Sequence, residues 1–238
     1  DPALAGEVAL AIDDAPVAWL PATRLDDALA ALPAALAPLA AELLTIDRVA
    51  ELVERAALVA PVAVREVVPR VVPLAALAEL LRGLARERVP TDDLPAILEA
   101  IALAPAPAGG VAAGGPAALA EIGEHLRGQL RRQISARWAP RGQLAVFTVD
   151  AMIEDAVRGA IDHRAGSPVL ALEPAIAHDI VAAVRGRVGP GPAVILTSGD
   201  VRRHLRALLA PELPDIAVLA AHELAPGTTV QTAGRIEV

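Results

Sequence analysis

The sequence has 238 residues, with 29 acidic and 21 basic side chains and a formal net charge of −8 at pH 7. A chain of this length can bury one large core or several smaller ones. Its negative field argues against nucleic acid or an anionic membrane surface as the main partner. The absence of cysteine excludes disulfides and thiolate metal sites.

The mean hydropathy of +0.49 raises the question of a membrane span. The longest uncharged stretch, residues 100–120, is interrupted by Pro105, Pro107, Pro116 and four glycines. A span needs roughly 20 continuous apolar residues in a helix, so this stretch is excluded. No basic segment precedes an apolar one at the start, so no signal peptide is expected. Any membrane contact is expected only through a part that is not in this chain.

The first 44 residues predict a strand pair followed by a helical segment. Apolar runs at residues 8–12 and 17–20 flank Asp13 and Asp14, which is typical of a hairpin with a polar turn. Residues 26–44 favour helix, although Pro33 and Pro38 are expected to break or kink it.

Residues 45–137 predict an all-α subdomain of short helices. Thr45 is expected to cap the first helix, Pro61 and Pro73 to open two more, and Thr91 to cap the next. Four leucines after Pro73 have the spacing of a core-facing stripe: Leu74, Leu77, Leu81 and Leu84. Residues 104–116, rich in Ala, Gly and Pro, predict a flexible loop.

The last helix of that subdomain carries the first candidate contacts. Its predicted apolar stripe consists of Leu119, Ile122, Leu126 and Leu130. Glu124, Arg127 and Arg131 are assigned to the polar side, and we expect them to include contacts between subunits.

Residues 138–238 predict an α/β subdomain, so the fold class is α+β with several subdomains. Strands are expected at residues 144–149, 169–172, 193–196 and 216–219, and helices at 150–161, capped by Asp150, and at 176–184. The last two strands flank a helix that Ser198 can cap, which makes a βαβ unit. Arg202, Arg203 and Arg206 lie off the apolar face of that helix, as a solvated face or as a partner contact.

Residue types with chemical roles are scattered. The five histidines show no metal-ligand spacing, and the paired acids are neighbours in sequence that point to different sides. We therefore expect no catalytic residue, metal or cofactor. One ligand site remains arguable: the strand-to-helix turn at residues 197–199 could hold an anion on its N–H groups, while a plain cap by Ser198 explains the same residues.

Residues 197–208 read Thr-Ser-x-Asp-Val-Arg-Arg-x-x-Arg-x-Leu, and residues 212–219 read Glu-Leu-Pro-x-x-x-Val-Leu. These motifs resemble the cytoplasmic half of the export-gate protein of type III secretion systems, called SctV in injectisomes and FlhA in flagella. Upstream, residues 40–44 and 97–101 are similar to the family's Ala-Ala-Glu-Leu-Leu and Ile-Leu-Glu-Ala-Leu. The phrase Leu-Ala-Leu-Glu-Pro at residues 170–174 and the first motif favour the injectisome branch over the flagellar one.

The resemblance implies a docking role without catalysis. In this family the cytoplasmic region assembles as a ring, commonly of nine subunits, on the cytoplasmic face of the bacterial inner membrane. There it docks export substrates, their chaperones and the stalk protein of the ATPase complex. The subdomains would be residues 1–44, 45–137, which forms the ring, and 138–238. Candidate subunit or partner contacts are Glu124, Arg127, Arg131, Arg202, Arg203 and Arg206.

The sequence also departs from the family. Ala30 and Ala31 stand where the family has Thr-His, in the part linked to chaperone docking, and the family's second subdomain has no room. Ring formation therefore carries over better than chaperone recognition. Two alternatives stay open: a flagellar export gate, and a small α/β enzyme or nucleotide binder that uses the Ser198 turn.

Overall fold

The structure is a computed structural model that describes residues 6–12, 14–22, 25–105, 110–162 and 168–238. It has the predicted α+β fold: a hairpin, a run of helices, and a parallel sheet with further helices.

The N-terminal hairpin pairs β1 (Gly6–Ile12) with β2 (Ala15–Ala22) in antiparallel register, as predicted. Asp13, in the predicted turn, lies outside the described residues. The helix α1 (Leu25–Leu36) continues through Pro33. At Pro38 the chain tightens into a 3₁₀ turn, Ala37–Leu39, before α2 (Ala40–Leu43), so the break predicted at Pro38 is confirmed.

Four helices follow, and their starts show the predicted proline and threonine signals with one exception. They are α3 (Ile46–Ala57), α4 (Pro61–Val67), α5 (Leu74–Arg86) and α6 (Leu94–Ala102). The Thr45 hydroxyl accepts a hydrogen bond from the Arg48 N–H at 3.2 Å, which confirms that cap. The prediction that Thr91 caps α6 is wrong, because the Asp93 carboxylate stands directly before the helix and accepts the Ala96 N–H at 3.1 Å.

The next helices are α7 (Gly110–Gln129) and α8 (Arg131–Trp138). The loop predicted at residues 104–116 is wrong from Gly110 onward, since that part is helical up to a kink at Gly115 (φ 60°, ψ −152°). Residues 106–109 lie outside the described part of the chain. Pro116 directly follows the kink, at the start of the helical run that resumes there. The first N–H groups of a helical run have no partner within the helix, so the missing N–H of proline is tolerated at this position. The predicted stripe is confirmed at Ile122, Leu126 and Leu130, which are buried.

The C-terminal part is built on a four-stranded parallel sheet in the order β7-β6-β3-β8. Its elements, in chain order, are β3 (Gln143–Val149), α9 (Ala151–Gly159), β4 (Ile161–Asp162), β5 (Val169–Leu170), α10 (Pro174–Val188), β6 (Ala193–Thr197), α11 (Gly199–Leu209), β7 (Ile216–Ala220) and β8 (Thr229–Ile236). The unit β6-α11-β7 is the predicted βαβ unit.

Two local predictions in this part need correction. The helix that Asp150 caps ends at Gly159 rather than Ile161, and Ile161 pairs with Leu170 in a separate two-stranded ribbon. The strand predicted at residues 169–172 is therefore two residues long and lies outside the main sheet. The strand β8 was not predicted, because polar residues and Gly234 interrupt its apolar pattern and most of its residues are exposed.

Side chains from successive sheet residues point to opposite faces, and both faces are covered. On one face Val194, Ala217 and Leu219 join the core of the helical part. On the other face Ile195, Ile216 and Val218 pack with α9, α10 and α11. Parallel sheets need apolar cover on both faces, and here the helices before residue 138 supply one of the two layers. The subdomain boundaries at residues 44 and 137 stay predictions.

Candidate functional site

The charged residues singled out by the sequence meet where the helical part contacts the α/β part. Arg202, in α11, is 1% exposed. Its Nε donates to Glu124 Oε2 of α7 at 3.0 Å, and its Nη1 donates to Glu87 Oε2, just after α5, at 2.6 Å. A second donor, Nη2, bonds the other oxygen of Glu124, so the guanidinium holds that carboxylate in a two-pronged contact.

Arg127, in α7, is a second buried guanidinium of the same cluster and is 3% exposed. Its Nη2 donates to Glu223 Oε2 at 3.1 Å, its Nε bonds the other Glu223 oxygen, and its Nη1 donates to Glu87 Oε2 at 3.0 Å. Glu87 therefore bridges both arginines.

Glu223, fully buried in the 3₁₀ turn after β7, completes the cluster. Its Oε2 accepts the Ala220 N–H at 2.9 Å, and its Oε1 lies 3.4 Å from Arg202 Nε. Burial by itself would raise the pKa of Glu223, but the hydrogen bond and charge of Arg127 and the charge of Arg202 outweigh it, so the pKa is lowered.

The same balance holds for Arg202. Burial acts to lower its pKa, while the charges of Glu87, Glu124 and Glu223 and the hydrogen bond to Glu124 together raise it. Glu87, Glu124, Arg127, Arg202 and Glu223 thus form one buried ion cluster of three carboxylates and two guanidinium groups. Its ion pairs connect α7 and α11 with each other and with the residues that follow α5 and β7.

The other predicted arginines have different surroundings. Arg206 is buried and directs its Nη1 and Nη2 to the carbonyl oxygens of Leu213 (3.4 Å) and Pro214 (3.2 Å), and burial lowers its pKa. Arg203 is half-buried and donates to His204 Nε2 at 3.1 Å. Arg131 is exposed.

Two assignments from the sequence are therefore wrong. Arg127 does not lie on a solvent-facing side of α7, and Arg202 and Arg206 do not form a solvated face of α11. Arg127 and Arg202 are covered because Glu87, Glu124 and Glu223 face them where the helical and α/β parts meet. Arg206 is covered by the segment after α11, where the carbonyl oxygens of Leu213 and Pro214 accept its hydrogen bonds. The predicted contacts between subunits stay predictions, and Arg127 and Arg202 retain almost no surface for them.

Glu87 and Glu223 were missed by sequence reasoning. Glu87 is one of several charges after α5, and Glu223 is isolated in an apolar stretch. The only usable signal was that isolation, because a lone acid among apolar residues needs a buried partner.

The strand-to-helix turn at Ser198 is used by the chain itself. The Ser198 N–H and the Thr197 hydroxyl both donate to Glu154 Oε1, at 2.9 and 2.5 Å. The Ser198 hydroxyl makes no hydrogen bond to the N–H groups of the helix, so the prediction of a plain cap is wrong. The hydroxyl oxygen instead accepts a hydrogen bond from Arg158 Nη2 at 3.1 Å. A carboxylate of the protein thus occupies the position where an anion would sit.

The exposed side of this turn holds a second ion cluster, centred on Arg158. Its Nε donates to Asp200 Oδ2 at 2.5 Å, and its Nη1 to Asp155 Oδ1 at 2.5 Å. The hydrogen bond between Arg158 and Asp200 raises the pKa of the former and lowers the pKa of the latter.

Within the described part of the chain, no three histidine, aspartate or glutamate side chains are grouped so that they could hold a metal ion. His163 lies outside that part. None of the described helices is both long enough and apolar enough to cross a bilayer.

Comparison with known proteins places this geometry in a family. The sequence profile of the FHIPEP family matches residues 24–229, which is most of the chain. The chain belongs to the FHIPEP family. The resemblance to the type III secretion export gate is thereby confirmed.

Relatives of this FHIPEP chain are much longer proteins. It is 33% identical over 114 residues to "Probable translocation protein y4yR" of Sinorhizobium fredii, a match that spans 46% of this chain and 16% of that protein. It is 30% identical over 115 residues to "Flagellar biosynthesis protein FlhA" of Bacillus subtilis, spanning 46% of this chain and 17% of that protein. The matched stretch is thus about a sixth of the length of either relative.

Solved structures share the fold over nearly the whole chain. The CdsV protein of Chlamydia pneumoniae is 27% identical with a TM-score of 0.75, covering 98% of this chain and 71% of that one. CdsV in complex with CdsO is 30% identical with a TM-score of 0.77, covering 90% and 62%. The nonameric EPEC SctV-C, at 21% identity, TM-score 0.75 and coverages of 92% and 64%, shows the same fold.

Proposed function

We propose that this chain is the cytoplasmic, ring-forming platform of a type III protein export gate, at the cytoplasmic face of a bacterial inner membrane. The observation that carries the proposal is the likeness to CdsV, which extends over 98% of the chain at 27% identity. The ring, commonly of nine subunits, is supported by the nonameric assemblies of EPEC SctV-C and of the EscV cytosolic domain, which share the fold.

The second element of the proposal is docking. The complex of CdsV with CdsO supports a binding partner for the platform. For this chain we infer docking of the ATPase-complex stalk protein, export substrates and their chaperones.

The buried ion cluster supports a mechanism of docking rather than bond-breaking. Its three glutamates face its two arginines, and it joins α5 and α7 of the helical part to α11 and the turn after β7. Through that joint the helices that form the ring would hold the α/β part at a fixed angle. Partners bound to the α/β part would then be arrayed around the channel in register.

We further propose the injectisome branch, which rests on the motifs of residues 170–174 and 197–203. Relatives from both branches match at similar identity: 29% for the "Invasion protein InvA" of Salmonella typhimurium and 30% for FlhA.

The alternative of a nucleotide binder at the Ser198 turn is disfavoured by Glu154, whose carboxylate already takes the N–H that a phosphate would need. Isothermal titration with nucleotides and sugar phosphates is therefore expected to give no heat. A saturable heat signal that the Glu154→Gln variant strengthens would restore the alternative.

The ring is tested by native mass spectrometry and light scattering over a wide range of protein concentration. We expect assembly that grows with concentration and ends at a closed ring, with nine copies as the predicted stoichiometry. A chain that stays monomeric throughout that range, while folded by circular dichroism, would contradict the proposal.

A further inference from the structure

An apolar groove on the α/β part is a candidate docking surface that the buried ion cluster does not involve. It lies between α9 and α10, beside the end of β8, and has a volume of about 360 Å³. Its floor is formed by Ile153 and Ile180, which are buried, and its mouth by Met152, Ile176 and Val238, which are exposed.

Met152 is the most telling residue of this groove. It is the only methionine in the sequence and is 79% exposed. It stands in the first turn of α9, where an acidic or polar residue would be favoured by the helix dipole and by solvent. Methionine is a flexible apolar side chain that adapts to a partner's shape, and it is common on surfaces that bind helices.

The rim of the groove is acidic. The rim is lined by Asp150 and Glu237. The guanidinium of Arg235 faces both carboxylates: its Nη2 lies 2.5 Å from Asp150 Oδ2, and its Nε lies 3.8 Å from Glu237 Oε1. Glu173 and Asp179, both exposed, stand three residues before and after Ile176 and extend the negative charge along α10. A partner that brings positive charge to this rim is favoured, and an acidic partner is repelled.

We propose that this groove binds an amphipathic helix of a partner protein, with its apolar face against Met152 and Ile176 and with arginine or lysine on its flanks. Two of its walls, α9 and α10, are helices whose backbone groups are paired internally, so they suit a helix in a groove rather than an added strand. The inference deepens the docking role proposed above and rests on it, because it names one surface and the chemistry of its partner.

The test uses the full chain and two synthetic helical peptides. One carries leucines at positions i, i+3, i+4 and i+7 with arginines on its flanks, and the other has glutamates in place of the arginines. Affinity is measured by fluorescence anisotropy, and the site by NMR of protein labelled with methionine bearing a ¹³C methyl group. The basic peptide should shift the Met152 methyl resonance, and the acidic peptide should leave it in place.

Variants locate the contact without changing its shape. Met152→Gln removes apolar character and should weaken the basic peptide about tenfold. Glu237→Gln removes one rim charge and should weaken it about two- to fivefold, an effect that added salt abolishes. Leu58→Gln, at an exposed position after α3, is the matched control and should bind like the unmodified chain.

The proposed docking site would be overturned by equal binding of both peptides, by an unmoved Met152 resonance at saturation, or by unchanged affinity in Met152→Gln. A change of oligomeric state in Met152→Gln would also overturn it, since a second copy of the chain would then be the occupant. The assembled mass is measured on the same samples. If the ring forms but the peptide does not bind, only the proposed docking site is contradicted. If the peptide binds but no ring forms, only the proposal of a ring is contradicted.

Discussion

Among the described residues, two arginine–carboxylate clusters lie in opposite settings, one buried and one exposed. The buried ion cluster around Arg127 and Arg202 joins the helical part to the α/β part. The exposed cluster around Arg158 lies at the start of α11. Solvent screens an exposed pair and supplies an alternative partner to each charge, so that its net effect on folding is small. Removing one partner of a buried pair leaves an uncompensated charge out of water, so the buried cluster governs how the two parts are held together.

The largest effect is expected when Arg202, which is 1% exposed, is removed from the buried ion cluster. Arg202→Met keeps the bulk of the side chain but removes one of the two cations that face Glu87 and Glu223. It also removes the guanidinium that binds both oxygens of Glu124. We expect the free energy of unfolding in urea to fall by about 3–5 kcal/mol.

Arg158→Met is the matched control for that experiment, because it removes a guanidinium with as many carboxylate neighbours from the exposed cluster. Its urea midpoint should stay close to that of the unmodified chain. Equal losses in the two variants would contradict the contrast between the clusters.

Glu223→Gln should have the next largest effect, since the amide keeps the shape but not the charge that faces Arg127. A loss of about 2–3 kcal/mol at pH 7 is expected for hydrogen bonds to a charged group. The pH dependence provides a second readout. Because the pKa of Glu223 is lowered in the folded state, its contribution is complete above the ordinary glutamate pKa of about 4.3 and is lost as the pH falls through the lower folded value.

Urea unfolding of the Glu223→Gln variant between pH 3 and 7 should therefore show a shallower loss of stability on the acid side. Parallel pH curves for the variant and the unmodified chain would show that Glu223 does not carry this linkage.

Asp200→Asn probes the exposed cluster in the same way and should change stability less. Its pKa is also lowered, chiefly by the hydrogen bond from Arg158, but both groups face solvent. The small loss expected at low ionic strength should vanish in 0.5 M salt, because the Debye length there is only about 4–5 Å. The loss in Glu223→Gln should persist in the same salt, and a salt-sensitive loss there would erase the distinction.

Arg131→Glu is expected to leave the free energy of unfolding within about 0.5 kcal/mol, since the side chain is exposed. Its predicted role is at the contact between subunits. Native mass spectrometry should therefore show weaker assembly with unchanged unfolding, and unchanged assembly would remove Arg131 from that contact.

The features predicted correctly from the sequence are those that depend on residues close to one another along the chain. The caps at Thr45 and Asp150, the break at Pro38 and the stripe of α7 follow from short-range rules, and the structure confirms them. The polar partners could not be predicted in this way. Arg202 meets Glu87 across 115 positions of sequence, and Glu154 reaches Ser198 across 44.

Helical periodicity assigns an arginine beside an apolar stripe to solvent, and only the neighbouring part of the fold reverses that assignment for Arg202 and Arg206. The strand β8 was not predicted for a related reason. Its residues lack the apolar pattern of a strand, and it is its pairing with β3 that places it in the sheet.

We expect the helical part and the α/β part to unfold as one cooperative unit, because they share a sheet face and the buried ion cluster. Native-state hydrogen exchange with mass spectrometry can compare the amides of α5 and α7 with those of β6 and α11 at increasing urea. We predict that both sets open with the same free energy and the same urea dependence. If β6 and α11 opened well before α5 and α7, the two parts would be separate units and the coupling would be contradicted.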